Sequence, residues 1–409
     1  MRIAFFSYEY PRETGGGGIG TYLKLISELL IQTGHTVTVF TATKRINAYW
    51  ESESVFRIPS GTWEDFDRTL PEYFIPIHKH VPYDIAECTD YKGCGLSVKR
   101  LLPDLPIVVR LHTPSFLIDR LQYREMPFHA KFRYFFGALL RLKLPKLPAP
   151  PSRKNYDNEF QLIHLADRIN SPSKSILKEL SLLGFEVDGK SDIVPLPFLV
   201  DEDLKKIKPR QNISRGPKII YIGRLEIRKG VIELARAIPE ILRSYPNAQF
   251  FFIGQSADSP KAGMDMEVYL KKQLGSCSSA VNFLGKITHN QVRAFLEMGD
   301  IFVYPSHYES FGIACCEAMA AGKAVVGSNR GGMAEIIEDG ISGILVSPNQ
   351  HKPLAKAIML LISDNPTRIN MGENARARIM CFLEPRKIVE EQTNCYKEAI
   401  CQSPVKVLS

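Results

Sequence analysis

Two basic residues, Arg224 and Lys229, stand five positions apart where a predicted strand gives way to a predicted helix. In YIGRLEIRKGVIEL the apolar strand ends at Ile222, a turn follows at Gly223, and the helical pattern begins near Gly230. An arginine fork and a lysine point charge beside a helix N-terminus form a good clamp for a diphosphate. The alternative is a pair of solvated bases in a surface loop, and the spacing favours the clamp.

A second strand-to-helix segment, YPSHYESFGIACCEAMAAGK, carries two carboxylates. Glu309 lies in the loop after the predicted strand, whereas Glu317 lies in the first turns of a helix that begins near Ile313. Amides at a helix N-terminus bind phosphate, and a carboxylate can accept hydrogen bonds from two neighbouring ribose hydroxyls. Because one carboxylate is in a loop and the other is on a helix, they need not form a general acid–base pair.

A histidine, His112 in RLHTPSF, ends another apolar strand. That position places it at the carboxyl edge of the predicted sheet, where ligands bind in open α/β folds. A lone histidine is more often structural, but the strand-end position and the Thr-Pro that follows favour a functional role.

A glycine-rich loop, GGGGIGTY at Gly15–Tyr22, follows the first predicted strand and opens a helix. Its glycines permit close approach of a ligand and positive φ angles. The spacing of Gly15, Gly17 and Gly20 also fits the pyrophosphate loop of a dinucleotide enzyme. The next strand, TVTVFTATK, ends without an acidic residue to hold a ribose, which argues against an NAD site.

The elements that must position these residues alternate between short apolar runs and helical patterns, which predicts an α/β fold with two Rossmann-like domains facing a cleft. In the first series the predicted strands are Arg2–Ser7, Thr36–Thr41, Asp84–Glu87, Ile107–Leu111 and Arg168–Asn170. In the second series they are Lys218–Ile222, Gln249–Ile253, Val281–Leu284, Ile301–Tyr304, Ala324–Gly327 and Ile344–Val346. The polar, proline-containing stretch Val194–Pro217 between the two series predicts an interdomain linker.

The net charge of +8 is concentrated in the stretch Arg120–Lys154, which contains nine basic residues and one acid, Glu125. Aromatic and leucine residues are interleaved with the charges, a pattern that suits the surface of an anionic membrane. The alternative is a solvated helix face whose aromatic residues pack inward. Nucleic-acid binding fits less well, because no known binding module surrounds the stretch.

Composition excludes a membrane-spanning segment, because the sequence has no run of 18 uncharged apolar residues. The first residues, MRIAFFSYEY, predict a buried strand rather than a signal peptide, so we expect a cytosolic protein. The eight cysteines show no C-x-x-C pairing and no histidine at zinc-like spacing, and we expect them to be reduced.

Taken together, these motifs resemble those of the retaining glycosyltransferases of family 4, which have the GT-B fold, and the resemblance covers nearly the whole chain. The motifs are G-G-x-G at Gly16–Gly20, G-R-L-x-x-x-K-G at Gly223–Gly230, E-S-F-G…E-A-M-A-x-G-K at Glu309–Lys323, G-G-x-x-E at Gly331–Glu335 and S-P-S at Ser171–Ser173. The departures are small: Ala324 stands where proline is usual, and Ala314–Cys316 replaces a more aliphatic run. The basic stretch is variable in the family and inherits no role from it.

The resemblance implies roles for the candidate site residues that follow the strands of the second series. Arg224 and Lys229 would hold the donor diphosphate and stabilise the leaving group, and Glu317 would bind the nucleotide ribose. Glu309 would contact the hydroxyls of the donor sugar, and Gly285–Ile287 would form the wall for the base.

The resemblance also implies that His112 touches the transferred sugar near the reacting carbon, and that Gly16–Gly18 faces the donor phosphate or the acceptor. The expected catalytic residues are His112, Arg224, Lys229 and Glu309. The expected nucleotide-sugar-binding residues are Gly16, Gly17, Gly18, Gly223, Arg224, Lys229, Gly285, Lys286, Ile287, Glu309, Ser310, Phe311, Gly312, Ile313 and Glu317.

The implied reaction moves a sugar, with retention of configuration, from a UDP- or GDP-linked donor to a hydroxyl of a saccharide or lipid-linked acceptor. We expect no cofactor and no metal, because two cations and helix amides can stabilise the departing diphosphate. The D-x-D sequence at Asp201–Asp203 lies in the linker and is interpreted as incidental. Together with the basic stretch, the implied reaction indicates cell-surface glycan or glycolipid synthesis, by a cytoplasmic enzyme at the inner face of the membrane.

Two alternatives keep the same architecture. One is a catalytically inactive nucleotide-sugar-binding or scaffold protein, which the intact set of candidate residues argues against. The other is a phosphorylase, which needs a cofactor lysine or a free-phosphate site, and the sequence shows the signature of neither.

Three segments are predicted along the chain. Residues 1–198 form a Rossmann-like acceptor-binding domain that includes the basic insert at about 117–155. Residues 199–385 form a Rossmann-like nucleotide-sugar-binding domain, and residues 386–409 form a helix that crosses back to the first domain.

Overall fold

Two β-sheets organise the chain in the computed structural model, which describes residues 1–15, 17–123, 135, 150–200, 202–213 and 216–402. The strands of the first sheet are β1 (Arg2–Ser7), β2 (Thr36–Thr43), β3 (Tyr49–Ser52), β4 (Val55–Pro59), β5 (Ile85–Thr89), β6 (Ile107–Arg110), β7 (Arg168–Ser171) and β8 (Ser191–Ile193). The strands of the second are β9 (Lys218–Ile222), β10 (Gln249–Ile253), β11 (Val281–Gly285), β12 (Ile301–Tyr304), β13 (Ala324–Ser328) and β14 (Ile344–Val346).

Helices connect and cover these strands. Those of the first half are α1 (Gly18–Gln32), α2 (Trp63–His80), α3 (Leu96–Leu101), α4 (Ser115–Gln122), α5 (Asp157–Leu165) and α6 (Lys174–Leu182). Those of the second half are α7 (Glu202–Lys205), α8 (Val231–Ser244), α9 (Met266–Leu274), α10 (His289–Met298), α11 (Ile313–Ala320), α12 (Met333–Ile336), α13 (His351–Ser363), α14 (Asn365–Phe382) and α15 (Pro385–Gln402).

Both sheets are parallel at their centres, as predicted. The strand order is β3-β4-β2-β1-β5-β6-β7-β8 in the first sheet and β11-β10-β9-β12-β13-β14 in the second. Only the edge pair β3 and β4 is antiparallel among the described pairs. The chain reverses its direction of strand addition beside β1 and again beside β9, which creates a crevice at the carboxyl ends of the strands in each sheet.

The central strands are apolar because helices cover both faces of the sheet. Alternate residues of β1 illustrate this: Ile3 and Phe5 join one core cluster, whereas Ala4 and Phe6 join another, and all four are fully buried. The near-continuous apolar runs in the sequence are therefore the direct signature of strands buried on both sides.

Several elements of the first domain were not predicted, among them β3, β4 and α2. In β4 the charge of Arg57 interrupts the apolar run, and its guanidinium is buried against Glu51 of β3 at 2.7 Å. In α2 two prolines, Pro71 and Pro76, obscure the helical pattern. Charge compensation by a neighbouring strand and packing of a proline-containing helix are tertiary effects that a local pattern does not reveal.

The stretch predicted as a linker packs against the rest of the molecule. It contains the short helix α7, and the side chains of Leu204, Ile207 and Ile213 are buried. The predicted domain boundaries stay predictions, although the first sheet ends with Ile193 and the second begins with Lys218.

The prediction that the last helix returns to the first domain is confirmed. α15 packs on β5, β6 and β7 of the first sheet and on α1. From this helix the Gln392 amide and the Tyr396 hydroxyl both donate to the buried Glu87 carboxylate of β5. The Asn170 side chain of β7 donates in turn to Gln392 Oε1 at 2.5 Å.

Within the described ranges, none of the helices combines the length and apolar character needed to cross a bilayer. All eight cysteines are free thiols, and most of them are buried.

Candidate active site

The loop after β9 holds the two predicted clamp cations at the carboxyl edge of the second sheet. Arg224 extends outward with 59% of its side chain exposed, and its guanidinium pairs with Glu226 Oε2 at 2.9 Å. Lys229 ends a short 3-10 turn, Ile227–Lys229, and is largely buried, with 19% of its side chain exposed. One cation is therefore accessible from solvent and the other is set into the wall of the crevice.

Backbone contacts lock this loop to the loop that follows β12. Gly230 has a φ of +69°, and a Cβ at this position would lie 1.9 Å from the carbonyl oxygen of Pro305, so glycine is required. Arg228 is buried; its guanidinium donates to the carbonyl of Tyr308 at 3.1 Å and pairs with Glu226 at 2.7 Å. The clamp loop and the loop that carries Glu309 thus form one structural unit.

Lys229 and Glu309 form a direct ion pair within this unit. Burial lowers the pKa of the Lys229 ammonium, and the Glu309 carboxylate opposes that shift. Burial would raise the pKa of Glu309, but the charges of Lys229 and Arg228 outweigh it and hold that pKa below its ordinary value. The pair places the predicted diphosphate-binding ammonium directly beside the predicted sugar-binding carboxylate.

The N-terminus of α11 opens onto the same crevice. Gly312 precedes the helix with a φ of +108°, in the left-handed region that favours glycine. The first amides of a helix have no partner within it, so those of Ile313 and Ala314 are available to an anion, whereas the Cys315 and Cys316 amides donate to the Gly312 carbonyl. Phe311 is buried and fixes the loop, while Glu317 lies one turn into the helix and is partly exposed.

Two glycines of the predicted G-G-x-x-E motif support the backbone of Glu309. The Gly332 amide donates to the Glu309 carbonyl at 2.6 Å. Gly331 has a φ of +86°, and a Cβ there would lie 2.3 Å from the same carbonyl oxygen. This motif therefore acts on the site through the main chain of the Glu309 loop.

The predicted wall for the base lies at the end of β11. The Gly285 carbonyl accepts from the Gly254 amide at 2.8 Å, which ties the wall to the end of β10. A side chain at Gly285 would meet no atom within 4 Å, so open space lies beside it. Lys286 is exposed, and Ile287 is partly buried against the core.

His112 lies at the carboxyl end of the first sheet, just beyond β6. Its amide donates to Asp90 Oδ2 at 3.0 Å, its Nδ1 lies 3.3 Å from the Arg110 carbonyl, and its ring meets Tyr22 edge-on at 5.2 Å. These contacts orient the ring, whereas Nε2 is buried and has no described hydrogen-bond partner. Nε2 is therefore the ring nitrogen whose hydrogen-bonding capacity is not used by the described residues.

The glycine-rich loop brings the first domain up to the second. Gly17 precedes α1, and a Cβ at Gly18 would lie 4.0 Å from the Ile313 side chain of α11. Gly16 lies outside the described residues. The structure thus brings the glycine loop, the α11 N-terminus, the clamp loop and the Glu309 loop to one interdomain crevice.

A carboxylate that the sequence analysis missed, Glu9, lies beside the glycine loop. A Cβ at Gly17 would lie 3.2 Å from Glu9 Oε2, and no described residue donates a hydrogen bond to this carboxylate. Burial raises the pKa of Glu9, and the charges of His112 and Arg224 oppose that rise. Its position two residues after β1 is the signal that strand-end reasoning could have used.

Contacts between the domains surround the site, and the sequence motifs at these positions had been given no role. The Ser173 hydroxyl donates to the Ser310 carbonyl at 2.9 Å. The Glu335 carboxylate accepts from the amides of Lys174 and Ser175, at 3.0 and 2.8 Å, at the N-terminus of α6.

Side chains reinforce this contact on both sides. Arg330 pairs with Glu179 at 3.1 Å. Tyr308, next to Glu309, is buried in a core cluster that otherwise consists of first-domain residues. The loop with the sugar-binding candidates is therefore anchored in the first domain as well as in its own.

Among the described residues, no group of three or more His, Cys, Asp or Glu side chains is arranged to hold a metal ion. Asp203 of the D-x-D sequence pairs with Lys206 at 2.8 Å and with Arg293 at 2.7 Å. Asp201 lies outside the described residues.

Comparison with known proteins assigns each half of the chain to a family model. Residues 16–198 match the model described as Glycosyltransferase Family 4, and residues 203–378 match the model described as Glycosyl transferases group 1. An uncharacterised glycosyltransferase from Methanocaldococcus jannaschii is 28% identical over 422 residues, spanning 98% of this chain and 99% of that protein.

Solved structures agree on the fold. A sucrose-phosphate synthase from Thermosynechococcus elongatus superposes with a TM-score of 0.73 at 21% identity, over 98% of this chain and 100% of that one. The Anabaena HepE protein, solved in complex with UDP and glucose, superposes with a TM-score of 0.67 at 18% identity, over 97% of this chain and 99% of that one. The chain therefore belongs to glycosyltransferase family 4, and it is a glycosyltransferase with the two-domain GT-B fold.

Proposed function

We propose that this enzyme transfers a sugar from a nucleoside-diphosphate donor to an acceptor hydroxyl, with retention of configuration. The observation that carries the proposal is the convergence of Arg224, the Lys229–Glu309 pair and the α11 N-terminus opposite the free Nε2 of His112. UDP is the favoured nucleotide because HepE, which shares the fold, was solved with UDP and glucose. GDP remains the second candidate.

The reaction requires the enzyme to stabilise negative charge on the leaving group. As the bond between the sugar C1 and the phosphate oxygen breaks, negative charge grows on the departing diphosphate. Arg224, Lys229 and the first amides of α11 are fixed before the reaction, so they stabilise this charge without reorganising. These groups supply that stabilisation without a metal, and we propose that the enzyme needs none.

The sugar, the ribose and the base of the donor are each assigned to residues of the protein. Glu309 accepts from the hydroxyls of the donor sugar, Glu317 holds the ribose, and Gly285–Ile287 borders the base. His112 Nε2 lies opposite, on the first domain, and meets the transferred sugar near C1 when the domains close around it.

Same-face attack accounts for retention without a covalent intermediate. The acceptor oxygen bonds to C1 on the face from which the diphosphate leaves, and the acceptor proton passes to a phosphate oxygen of the leaving group. Atoms and charge balance in this step, and no side chain of the site needs to act as a nucleophile.

The clamp is tested by Arg224→Ala and Lys229→Ala, each of which should lower turnover roughly 10²-fold, as expected for the loss of one such contact. Matched controls are Arg243→Ala on α8 and Lys272→Ala on α9, which remove exposed cations of the same domain. Turnover is measured as nucleotide release across UDP-, GDP- and ADP-sugars with saccharide and lipid-linked acceptors.

Thermal shifts separate donor binding from turnover. UDP at 100 times its dissociation constant should stabilise the wild type by about 2.7 kcal/mol.

Turnover near the wild-type rate in either clamp variant contradicts the assignment of Arg224 and Lys229 to the diphosphate. Absence of nucleotide release from the wild type, with binding intact, supports the inactive nucleotide-sugar-binding alternative.

The acceptor side of the proposal places the enzyme on an anionic membrane during cell-surface glycan or glycolipid synthesis. Its support is the excess of basic residues in Arg120–Lys154. Residues 124–134 and 136–149 of this stretch lie outside the described residues, so the proposal rests on sequence alone.

A further inference from the structure

Aromatic side chains line the first-domain side of the crevice. Tyr8 follows β1, Trp63 begins α2 after β4, and Tyr91 follows β5, so all three lie at the carboxyl edge of one sheet. The Tyr8 hydroxyl donates to the Gly61 carbonyl at 3.0 Å, which joins the loops after β1 and β4. The rings are therefore held by the same edge that carries His112.

The three rings form a continuous, partly exposed row. The Tyr8 and Trp63 rings lie 5.2 Å apart at 34°, and the Trp63 and Tyr91 rings lie 5.0 Å apart at 63°. All three residues are partly buried, and Tyr8 and Trp63 pack against a core cluster of the first domain. Such rings present a rigid apolar surface that loses little conformational entropy when it is covered.

Polar groups of both domains lie around this row. The carboxylates of Asp119, Glu159 and Glu9 add to burial in raising the pKa of Tyr91, and Arg224 of the second domain opposes them. Tyr91 therefore lies within electrostatic range of both Glu9 and Arg224. Glu9 itself faces the glycine loop without a described hydrogen-bond donor.

Glu64 and Lys92, which follow Trp63 and Tyr91 in the chain, line a cavity of about 200 Å³. Polar side chains dominate its lining, which includes Glu64, Lys92, Ser115, Tyr156, Asn158 and Glu159. Lys92 has a φ of +61°, unusual for a side-chain-bearing residue, and its amide donates to Glu159 Oε1 at 2.9 Å. The Tyr156 hydroxyl donates to Asp119 at 2.5 Å, which fixes a fourth ring at the far wall.

We propose that Tyr8, Trp63 and Tyr91 form a stacking surface for a saccharide acceptor, with Glu9 at its reacting end and the cavity holding a further sugar unit. The inference rests on the proposed function and specifies its acceptor. Sugar rings have apolar C–H faces that pack on aromatic rings, and hydroxyl edges that donate to carboxylates. An acyl chain needs an apolar groove, which a cavity bordered by Glu64, Lys92 and Asn158 does not provide.

The chain offers a matched test, because it contains only two tryptophans, Trp50 and Trp63. Trp50 lies on the edge strand β3, is 49% exposed and packs on Phe56, whereas Trp63 lies in the row. Wild type, Trp63→Leu, Tyr91→Leu and Trp50→Leu are compared on a glycan array in the presence of UDP. The array carries mono- to tetrasaccharides, and parallel vesicles carry a polyprenyl phosphate without sugar.

We expect the wild type and Trp50→Leu to bind the same saccharides, and Trp63→Leu and Tyr91→Leu to bind them at least about 10-fold more weakly. That fold-change corresponds to the loss of one ring contact of about 1.4 kcal/mol. Trp63→Phe keeps a ring and should restore most of the binding. Equal saccharide binding by wild type and Trp63→Leu, or wild-type binding to the vesicles but to no saccharide, overturns the proposal.

Fluorescence reports the contact directly. Trp50→Phe leaves Trp63 as the sole indole, and the saccharide selected on the array should shift its emission to shorter wavelength. In Trp63→Phe the same saccharide should leave the emission of Trp50 unchanged. The opposite pattern places the saccharide elsewhere and contradicts the stacking surface.

Stabilisation by UDP distinguishes this inference from the function on which it rests. The UDP shift should be the same in wild type, Trp63→Leu and Tyr91→Leu, because the clamp lies in the other domain, and an unchanged shift also shows that the variants fold. If no nucleotide stabilises even the wild type, the proposed donor site fails, while the array and the emission of Trp63 still decide the stacking surface.

Discussion

The pairing of Lys229 with Glu309 mirrors a pairing inside the proposed donor. In a nucleotide-sugar the β-phosphate is bonded to the sugar, so an anionic group and a set of hydroxyls are neighbours. An ammonium and a carboxylate in contact offer a cation to the first group and an acceptor to the second. The buried ion pair therefore matches the order of groups along the ligand, besides holding two loops together.

Lys323, at the opposite edge of the second sheet, carries a prediction about pH. Its ammonium is buried and donates to the carbonyls of Glu297 and Gly299 at 3.1 and 2.9 Å. Burial lowers its pKa from 10.5 to about 8. Between these values the unfolded chain binds more protons than the native protein, so this group makes stability rise with pH.

We expect the free energy of unfolding of the wild type to gain about 2 kcal/mol over that of Lys323→Met between pH 8 and pH 10. Urea unfolding at several pH values measures the difference. The exposed Lys272→Met should follow the wild type throughout. Parallel curves for wild type and Lys323→Met contradict the shifted pKa.

At the level of elements, the strands were predictable and several contacts between elements were not. β9 and β12 were predicted with their observed bounds because each is a short apolar run ended by a turn. The loops after them were recognisable since Gly223, Gly230 and Gly312 mark where the backbone turns. A local sequence pattern is sufficient to predict a strand that is buried on both faces, because nearly all residues of such a strand are apolar.

The missed features depend on residues distant in sequence. Ser173 donates to Ser310 and Ser175 donates to Glu335 across the two domains, and the charges of His112 and Arg224 act on the pKa of Glu9. Each of these contacts exists only after both sheets have formed. A single sequence contains the residues but not their pairing.

Glu335 gives a prediction for the interdomain contact at the start of α6. Its carboxylate accepts from two α6 amides and interacts favourably with the positive end of the helix dipole. Glu335→Ala should lower kcat/KM roughly 10-fold, the equivalent of about 1.4 kcal/mol, because the two domains lose a preformed contact. Stabilisation by UDP should be unchanged, since the clamp is within the second domain.

The neighbouring Glu338 is exposed, and Glu338→Ala is the matched control. Steady-state kinetics and UDP thermal shifts of both variants provide the measurement. A kcat/KM for Glu335→Ala equal to that of the control shows that the contact does not support the reaction.

At the scale of the whole molecule, the charge distribution predicts behaviour at membranes. The stretch Arg120–Lys154 holds the entire net excess of +8, so the rest of the chain is neutral overall. Arg133→Gln, Arg141→Gln and Lys143→Gln together should reduce sedimentation with anionic vesicles by roughly 10²-fold in partition coefficient, at about 1 kcal/mol per residue. Added salt should weaken wild-type binding in the same way.

A charge-matched control neutralises Arg236, Arg243 and Lys272, three exposed cations of the second domain. It should sediment like the wild type. If both triple variants bind the anionic vesicles equally, and if salt does not weaken that binding, an electrostatic membrane contact through this stretch is ruled out.

The return of α15 to the first sheet has a consequence for how the enzyme is made. The buried Glu87 carboxylate accepts from Tyr22 of α1, but its other two donors, Gln392 and Tyr396, follow it by more than 300 residues. During synthesis the first domain leaves the ribosome long before these donors exist, so its sheet remains partly hydrated at Glu87. Because a buried carboxylate without its partners is costly, we expect the core of the first domain around Glu87 to be completed only after the second domain has been synthesised.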